Sequence, residues 1–199
     1  MGNISQQGCI LRPVAALSSP ATRERSARRP GARASVMGAD PTRQTQAVCR
    51  LCDGFAATYA QVTRILYQRC ELCGAIQREA DSLPDALFEW QYYQTHENRA
   101  SDPGYCRFLG QLAKPLAERL ARGARGLDYG AGPDSALPAL LAEAGLDLRS
   151  WDPLYQPDST VLAHRYDFIT CTEAAEHFHR PGREFDRIAT LLRPGGWLG

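Results

Sequence analysis

The clearest indication of the fold is the stretch Gly126-Leu127-Asp128-Tyr129-Gly130-Ala131-Gly132-Pro133-Asp134-Ser135. Its first half predicts a short buried strand, and its glycines predict a tight turn that leads into a helix. A turn between a strand and a helix N-terminus brings backbone N–H groups close to a ligand. Glycine suits such a turn because a side chain would block the approach or forbid the backbone angles. The stretch therefore predicts a ligand site.

The same pattern of strand, turn and helix surrounds this stretch. Strands are predicted at 146–151 and 165–171, and a helix at 105–120, restarted at Pro115, comes before the turn. Repeats of this kind build a parallel sheet whose ligands bind at the carboxyl ends of the strands. We therefore expect an α/β fold, with a Rossmann-like, mostly parallel sheet over residues 104–199.

Asp152 directly follows the strand predicted at 146–151 and lies 20 residues beyond Gly132. A carboxylate in this position accepts hydrogen bonds from both hydroxyls of a ribose. A dinucleotide can occupy such a site, yet Asp128 and Asp134 place negative charge where its pyrophosphate would lie. The two carboxylates favour a cationic ligand such as S-adenosylmethionine, which carries a sulfonium, an ammonium and a ribose.

Several runs, in this order, resemble the class I S-adenosylmethionine-dependent methyltransferases. They are 127–132, Asp152, 166–169, 173–178 and 191–196. The resemblance covers about residues 105–199. It implies that Gly130 and Gly132 lie against the methionine part of the cofactor, with Asp128 near its ammonium and Asp152 on the ribose. It also implies that 170–173 wall the site near the reacting methyl. The cofactor-binding residues predicted in this way are Asp128, Tyr129, Gly130, Ala131, Gly132, Asp152, Thr170 and Cys171.

The chain departs from the family pattern in three places. Asp134 replaces a glycine that is common in the turn, and only 13 residues separate Asp152 from Tyr166. The usual third strand and its helix are therefore expected to be shortened or absent. The chain also stops at Gly199, within a predicted strand. We expect an incomplete sheet with an open edge, and a fragment or truncated gene product.

Glu173, Glu176 and His177 form a run with several possible roles. On a helix, residues three and four positions apart share a face. Two carboxylates and an imidazole can bind a divalent metal ion, or His177 can act as a base or substrate contact. Hydrogen bonding at the start of a helix is a third interpretation, without chemistry. The predicted catalytic residues are His177, Glu173 and Glu176.

Two Cys-x-x-Cys pairs come before the predicted sheet. They are Cys49 with Cys52 and, after 17 further residues, Cys70 with Cys73. Two residues between cysteines let both thiolates point at one ion, and two pairs complete a tetrahedral zinc site. A glycine follows shortly after each pair, where a knuckle needs a permissive backbone. The pattern predicts a zinc ribbon over 44–80, with a closed and therefore structural site.

Composition limits the remaining possibilities. Residues 1–43 hold seven arginines against two acidic residues, a net charge of +5, so the rest of the chain carries −4. The Arg-rich segment is expected to be a disordered tail, and the acidic body argues against a nucleic-acid surface.

Segment 81–103 is expected to connect the ribbon and the sheet, either by packing against the sheet domain or as a lid over the cofactor. No apolar run reaches the roughly 20 residues of a membrane span, and unpaired cysteines favour a cytoplasmic location.

Together these features predict methyl transfer from S-adenosylmethionine to a small-molecule acceptor, such as a sugar or a secondary metabolite. Bacterial relatives with a zinc module before this domain include sugar C-methyltransferases. One alternative is a non-catalytic adaptor, made of a zinc ribbon on a degenerate methyltransferase-like fragment. Another is a dinucleotide-dependent oxidoreductase. No oligomeric state is predicted.

Overall fold

The computed structural model describes residues 12–13, 47–93 and 100–199. They fall into two compact units. The sheet unit comprises the described residues of Met1–Ala16 and Pro84–Gly199, and the cysteine unit comprises those of Leu17–Leu83. Within these ranges, no helix has both the length and the apolar character that a membrane crossing requires.

The described residues form nine strands and four α-helices. The strands are β1 (Arg12–Pro13), β2 (Ala47–Val48), β3 (Phe55–Val62), β4 (Ile65–Cys70), β5 (Ile76–Arg78), β6 (Arg125–Tyr129), β7 (Asp147–Trp151), β8 (Tyr166–Thr170) and β9 (Leu192–Leu198). The helices are α1 (Ala86–Tyr93), α2 (Pro103–Arg119), α3 (Leu137–Glu143) and α4 (Pro181–Leu191). Short 3-10 turns lie at Ala80–Ser82, Ser159–Ala163 and Ala175–His177.

The sheet unit is built on a sheet with the strand order β1-β9-β8-β6-β7. β6 is parallel to β7 and β8, and β8 is parallel to β9, which confirms the predicted α/β fold. Because β6 lies between β7 and β8, the glycine turn that follows it lies between the ends of two neighbouring strands.

The two faces of the sheet belong to two separate cores. Leu127 and Tyr129 pack on one face, in a cluster that includes Ile188 of α4. Phe168 belongs to the cluster on the other face, with residues of α2 and α3. There Gly126 leaves room for the aromatic ring, since a Cβ at this position would lie 2.2 Å from Phe168. Helices thus cover both faces of the sheet.

Helix α2 runs through Pro115 without a break, so the predicted restart at this residue is wrong. The proline removes one backbone donor, and the carbonyl of Gln111, four residues earlier, loses its partner. Gln111 is exposed and can be solvated by water instead. Leu112 and Leu116 on either side of the proline are buried in the same core, so packing keeps the helix continuous.

The two edges of the sheet differ from each other. Between β7 and β8 the described residues form an isolated bridge of Asp152 with Gln156 and the turn Ser159–Ala163, without a further strand or α-helix, as the short interval predicted. At the opposite edge, β9 was expected to be open. Instead Arg12 and Pro13 pair antiparallel with Leu198 and Trp197. These two residues also depart from the tail expected at 1–43, and the rest of that tail lies outside the described residues.

The cysteine unit is an antiparallel sheet in the order β2-β3-β4-β5. β3 and β4 form its central hairpin, and β4 leads into the second cysteine pair. The buried apolar cluster of this unit comprises Cys49, Ala56 and Cys70 among the described residues. So small a core supplies little hydrophobic stabilisation by itself.

Candidate functional site

A cavity of about 510 Å³ opens at the carboxyl ends of β6, β7 and β8. This volume is within the range of about 300–1,000 Å³ that is typical of small-molecule sites. The wall also includes residues of α1 and α2. Its residues are Glu89, Asp102, Gly104, Tyr105, Phe108, Leu109, Gly130, Ala131, Gly132, Pro133, Asp134, Asp152, Pro153, Tyr155, Thr172, Glu173, Ala174, His177 and Phe178.

The glycine turn forms the middle of this wall. Gly130 and Gly132 have φ angles of 82° and 67°, in the left-handed region that favours glycine. A Cβ on Gly130 would also lie 2.7 Å from the Cβ of Ala174. The glycines are therefore required by the backbone and by the close approach of the segment after β8.

The N–H groups of the turn are bonded to the end of β7. Gly130 and Ala131 donate to the carbonyl oxygen of Trp151, at 2.8 and 3.1 Å. Gly132 donates to Oδ2 of Asp152 at 2.9 Å. The sequence led us to expect these donors at the ligand. They are used within the protein instead, while other atoms of the turn line the cavity.

Asp152 joins the loops that follow β6 and β7. Besides the Gly132 contact, its Oδ1 accepts hydrogen bonds from the N–H groups of Leu154 and Tyr155, at 2.8 and 3.1 Å. A carboxylate has about four acceptor positions, so about one remains for a ligand. The residue is buried, and it lines the cavity. The predicted ribose contact is compatible with this arrangement and stays a prediction.

Asp128 lies beneath the turn, and its side chain does not line the cavity. Its two oxygens accept hydrogen bonds from the hydroxyls of Thr170 and Ser135, each at 2.7 Å. Burial raises the pKa of the Asp128 carboxyl, and the two hydrogen bonds oppose this effect. Its charge still acts on the wall: burial raises the pKa of the Tyr105 hydroxyl, and Asp128 and Asp134 raise it further.

Only some of the predicted cofactor-binding residues line the cavity. Gly130, Ala131, Gly132 and Asp152 line the cavity, whereas Asp128, Tyr129, Thr170 and Cys171 do not. Tyr129 packs on the opposite face of β6, where its hydroxyl donates to Glu184. Burial raises the pKa of the Cys171 thiol to about 12, which keeps the thiol protonated at neutral pH.

The segment after β8 is not an α-helix, so the helical face predicted for Glu173, Glu176 and His177 is wrong. Glu173 has a φ angle of 52°, and a single 3-10 turn follows at Ala175–His177. Glu173 and His177 line the cavity, while Glu176 is exposed outside its wall. Within the described ranges, the donor atoms of these residues do not converge as a metal site would require.

Several wall residues were not predicted from the sequence. Glu89 lies on α1, in the segment where a connector or lid was expected, with Oε1 3.6 Å from Nε2 of His179. Tyr105 and Phe108 lie on the first two turns of α2. Both rings fall within the helix predicted at 105–120, but nothing local to the sequence indicated that this helix would line the cavity or that α1 would contribute a carboxylate.

The charge of the wall is strongly one-sided. Its acidic residues are Glu89, Asp102, Asp134, Asp152 and Glu173, and the wall as described contains neither lysine nor arginine. Such a cavity favours cations and disfavours phosphates and free carboxylates, because opposite charges attract more strongly in a partly desolvated site.

The four predicted metal ligands come together in the cysteine unit. The sulfur atoms of Cys49, Cys52, Cys70 and Cys73 all lie within 4.8 Å of one another. The shortest separations are 3.5 Å for Cys52 with Cys70 and 3.8 Å for Cys49 with Cys73. Four thiolates about 2.3 Å from one tetrahedral ion stand about 3.8 Å apart. A disulfide, by contrast, has a bond of about 2.05 Å.

The two knuckles share one backbone pattern. Cys49 and Cys70 donate to the carbonyls of Gly54 and Ala75, five residues later, at 2.8 Å in both cases. The left-handed residues are Asp53 and Gly74, with φ angles of 58° and 76°. Gly54 was expected to provide the first turn, but it serves packing instead, since a Cβ there would lie 3.0 Å from Leu72.

In the second knuckle, backbone groups favour a thiolate. The N–H of Cys73 donates to the sulfur of Cys70 at 3.5 Å. This hydrogen bond, together with the N–H of Leu72 and the thiols of Cys52 and Cys73, outweighs desolvation and lowers the pKa of the Cys70 thiol to about 6. Deprotonated sulfur is the form that binds a metal ion.

Comparison with known proteins identifies the family of the sheet unit. A family model described as "Methyltransferase domain" matches residues 96–198, just over half of the chain. The ubiquinone biosynthesis O-methyltransferase of Aeromonas salmonicida is 32% identical over 87 residues, which are 44% of this chain and 36% of that protein. The enzymes of the same name from Stutzerimonas stutzeri and Serratia proteamaculans are 31% and 34% identical over 87 and 84 residues. These cover 44% and 41% of this chain, and 37% and 35% of the relatives. The chain thus spans about a third of the length of these relatives. Because the family model matches more than half of the chain, the chain belongs to the methyltransferase domain family.

Proposed function

We propose that this chain transfers a methyl group from S-adenosylmethionine to a small-molecule acceptor, such as a sugar or a secondary metabolite. The observation that carries the proposal is the acidic cavity at the carboxyl ends of β6, β7 and β8. Its wall suits a ligand with a sulfonium and an ammonium. The carboxylates of the wall would repel the diphosphate of a dinucleotide.

The wall offers contacts for the ribose and for the methionine part of the cofactor. Asp152 would accept a hydrogen bond from a ribose hydroxyl at its remaining acceptor position. Gly130, Ala131 and Gly132 would lie against the methionine part. Asp128, Tyr129, Thr170 and Cys171 would act indirectly, because they support these groups without lining the cavity.

The chain contributes alignment, exclusion of water and a proton acceptor. When bound, S-adenosylmethionine supplies an electrophilic methyl group on a positively charged sulfur. His177 lines the cavity on the β8 side. There the neutral imidazole would accept the proton that an acceptor hydroxyl loses as its oxygen is methylated. Glu173 in the same wall would favour the resulting imidazolium.

For the cysteine cluster, we propose one structural zinc ion. Four thiolates fill the tetrahedral coordination, which leaves no position for a substrate. The buried cluster around Cys49, Ala56 and Cys70 is small, so the ion would supply much of the stability of this unit. The cytoplasmic location expected for such reduced thiols stays a prediction.

Calorimetry with two ligands tests the proposed function. S-adenosylhomocysteine should bind the folded chain, and NAD at the same concentration should give no heat of binding. Absence of S-adenosylhomocysteine binding, or equal affinity for NAD, would contradict the proposal. A chain that acts only as an adaptor through its cysteine unit would bind neither ligand.

A further inference from the structure

The four cysteines of the proposed zinc site differ in their exposure to solvent. Cys49 and Cys70 are buried, with exposed fractions of 0% and 2%, and Cys52 is half-buried. Cys73 is exposed. Gly74 follows it without a side chain, and apart from its chain neighbours no described residue lies within 4 Å of its Cβ position. A small reagent dissolved in water therefore meets Cys73 before the other three.

A second sulfur lies next to the exposed cysteine. The sulfur atoms of Cys73 and Cys49 are 3.8 Å apart. Matching backbone hydrogen bonds hold the two knuckles, from Asp53 to the carbonyl of Cys49 at 2.9 Å and from Gly74 to the carbonyl of Cys70 at 3.0 Å. A disulfide of about 2.05 Å needs the two sulfurs only about 1.8 Å closer. An accessible thiolate beside a resolving cysteine is typical of redox-sensitive sites.

We infer that Cys73 is an oxidation site and that Cys49 resolves it, so that hydrogen peroxide converts the zinc site into a disulfide between these two residues and releases the ion. The inference rests on the proposed zinc ion and is independent of methyl transfer. A site with four thiolates has no open position for a substrate. A thiolate at the surface of such a site still reacts as a nucleophile.

Two steps lead from the thiolates to the disulfide. A thiol bound to zinc is deprotonated. The Cys73 thiolate attacks one oxygen of hydrogen peroxide, the O–O bond breaks, and the products are the sulfenic acid of Cys73 and hydroxide. The Cys49 thiolate then attacks the sulfenic sulfur, and a second hydroxide leaves. The two sulfurs together lose the two electrons that the peroxide gains.

The disulfide removes two of the four metal ligands. Only Cys52 and Cys70 remain as thiolates, and two ligands do not satisfy an ion that takes four. The site therefore loses its ion. Reduction of the disulfide by a thiol restores the four ligands, so the change is reversible. This makes the metal content of the cysteine unit dependent on peroxide.

Zinc release from the full chain tests the inference. Hydrogen peroxide is added in steps to the protein without reductant, and a chromogenic chelator measures the released ion. The same measurement without peroxide gives the baseline. We expect about one zinc ion for each peroxide consumed.

Mass spectrometry identifies the cysteines that are joined. Free thiols are blocked with N-ethylmaleimide before digestion with trypsin. Cleavage after Arg50 separates Cys49 from Cys52, while the peptide 70–78 keeps the other two cysteines together. We expect the Cys49 peptide to be joined to 70–78. Fragment ions of this pair should place the bond at Cys73 and the maleimide on the other cysteine.

Replacing Cys73 by His separates oxidation from metal binding. Histidine is a common zinc ligand beside three cysteines, but it forms no sulfenic acid. Peroxide should therefore release zinc from Cys73→His at least about tenfold more slowly than from the unmodified chain. The matched control is Cys106→Ser, outside the cluster, which should release zinc at the unmodified rate. If Cys73→His holds no zinc, the mapping in the unmodified chain decides.

The inference is overturned if the zinc-loaded chain keeps its ion in excess peroxide, or if the disulfide joins two cysteines of the same knuckle. Equally fast release from Cys73→His, or oxidation confined to cysteines outside the cluster, would overturn it as well. A purified chain that contains no zinc is a different result, which removes the proposed ion and this inference with it.

Discussion

Thr170 donates a hydrogen bond of 2.7 Å to Asp128 across the boundary between β8 and β6. Both residues are buried, and Ser135 occupies the second oxygen of the same carboxylate. A buried carboxylate needs such donors, because it has lost its water. Together the two contacts link the loop after β6 to β8 through Asp128, beneath the wall of the cavity.

Replacing Asp128 by Asn should change how stability depends on pH. Burial raises the pKa of this carboxyl above its ordinary value of 3.8. Above pH 3.8 the folded state therefore keeps a proton that the unfolded state has released, and the free energy of unfolding falls as pH rises through the raised pKa. We expect the free energy of unfolding of the wild type minus that of Asp128→Asn to fall as pH increases from about 4, and then to become constant.

The matched control is Asp158→Asn, with the opposite sign. Hydrogen bonds from the hydroxyl and N–H of Thr160 lower the pKa of Asp158. Its contribution is present above the ordinary pKa and is lost as pH falls through the lowered one. Urea unfolding at a series of pH values measures both variants. Parallel pH profiles for wild type and Asp128→Asn would contradict the prediction.

Replacing Gly126 by Ala should destabilise the sheet unit. The added Cβ would lie 2.2 Å from the Phe168 ring, which is buried among α2 and α3. Overpacking of this kind costs about 1–3 kcal/mol or more, and the urea midpoint measures it. Gly110→Ala in α2 is the control, since nothing lies within 4 Å of its Cβ position. It should be neutral or stabilising by up to about 1 kcal/mol. Similar midpoints for the two variants would rule out the clash.

Replacing Asp152 by Ala should weaken S-adenosylhomocysteine binding at least about tenfold. The variant loses the proposed ribose contact and the three backbone hydrogen bonds that join the loops after β6 and β7. Calorimetry measures the affinity, and thermal unfolding verifies that the protein is folded. Asp147→Ala, at the exposed opposite end of β7, should bind normally. Equal affinity in the two variants would remove Asp152 from the cofactor contacts.

Replacing His177 by Ala should lower turnover by about 10²–10⁴-fold, the usual contribution of a general base. Binding of S-adenosylhomocysteine should be retained, since the role assigned to His177 concerns the acceptor proton. Glu176→Gln is the control, because Glu176 is exposed outside the wall. Methyl transfer from labelled S-adenosylmethionine measures both variants, with an acceptor that binds in calorimetry. Unchanged turnover in His177→Ala would refute the assignment.

The purified chain should contain close to one zinc ion. Its removal by a strong chelator should unfold the cysteine unit, because the described buried cluster there includes only three small side chains. Elemental analysis and circular dichroism measure the two effects. Cys52→Ser should lower the zinc content, while Cys106→Ser, outside the cluster, should not. A folded cysteine unit that contains no metal would contradict the proposed site.

Local patterns in the sequence predicted most of the sheet and part of the site. The glycine turn, Asp152 and the four cysteines were found because spacing and backbone requirements are written into neighbouring residues. Alternation along a strand also carried a signal that was not used: Tyr129 is one residue from Asp128 and must face the opposite side of β6. The helix predicted at Glu173 failed because a left-handed residue interrupts the segment.

Short-range periodicity and spacing were sufficient to predict the parallel strands of the sheet unit, its family resemblance and the grouping of the cysteines. They could not predict which side chains share the cavity. In the folded chain, Asp128 accepts a hydrogen bond from Thr170, and the N–H groups of the glycine turn are bonded to the end of β7. Glu89 lies beside the segment that follows β8. These choices depend on contacts between residues far apart in the chain. The glycine turn thus supports the site, while the carboxylates around it give the cavity its charge.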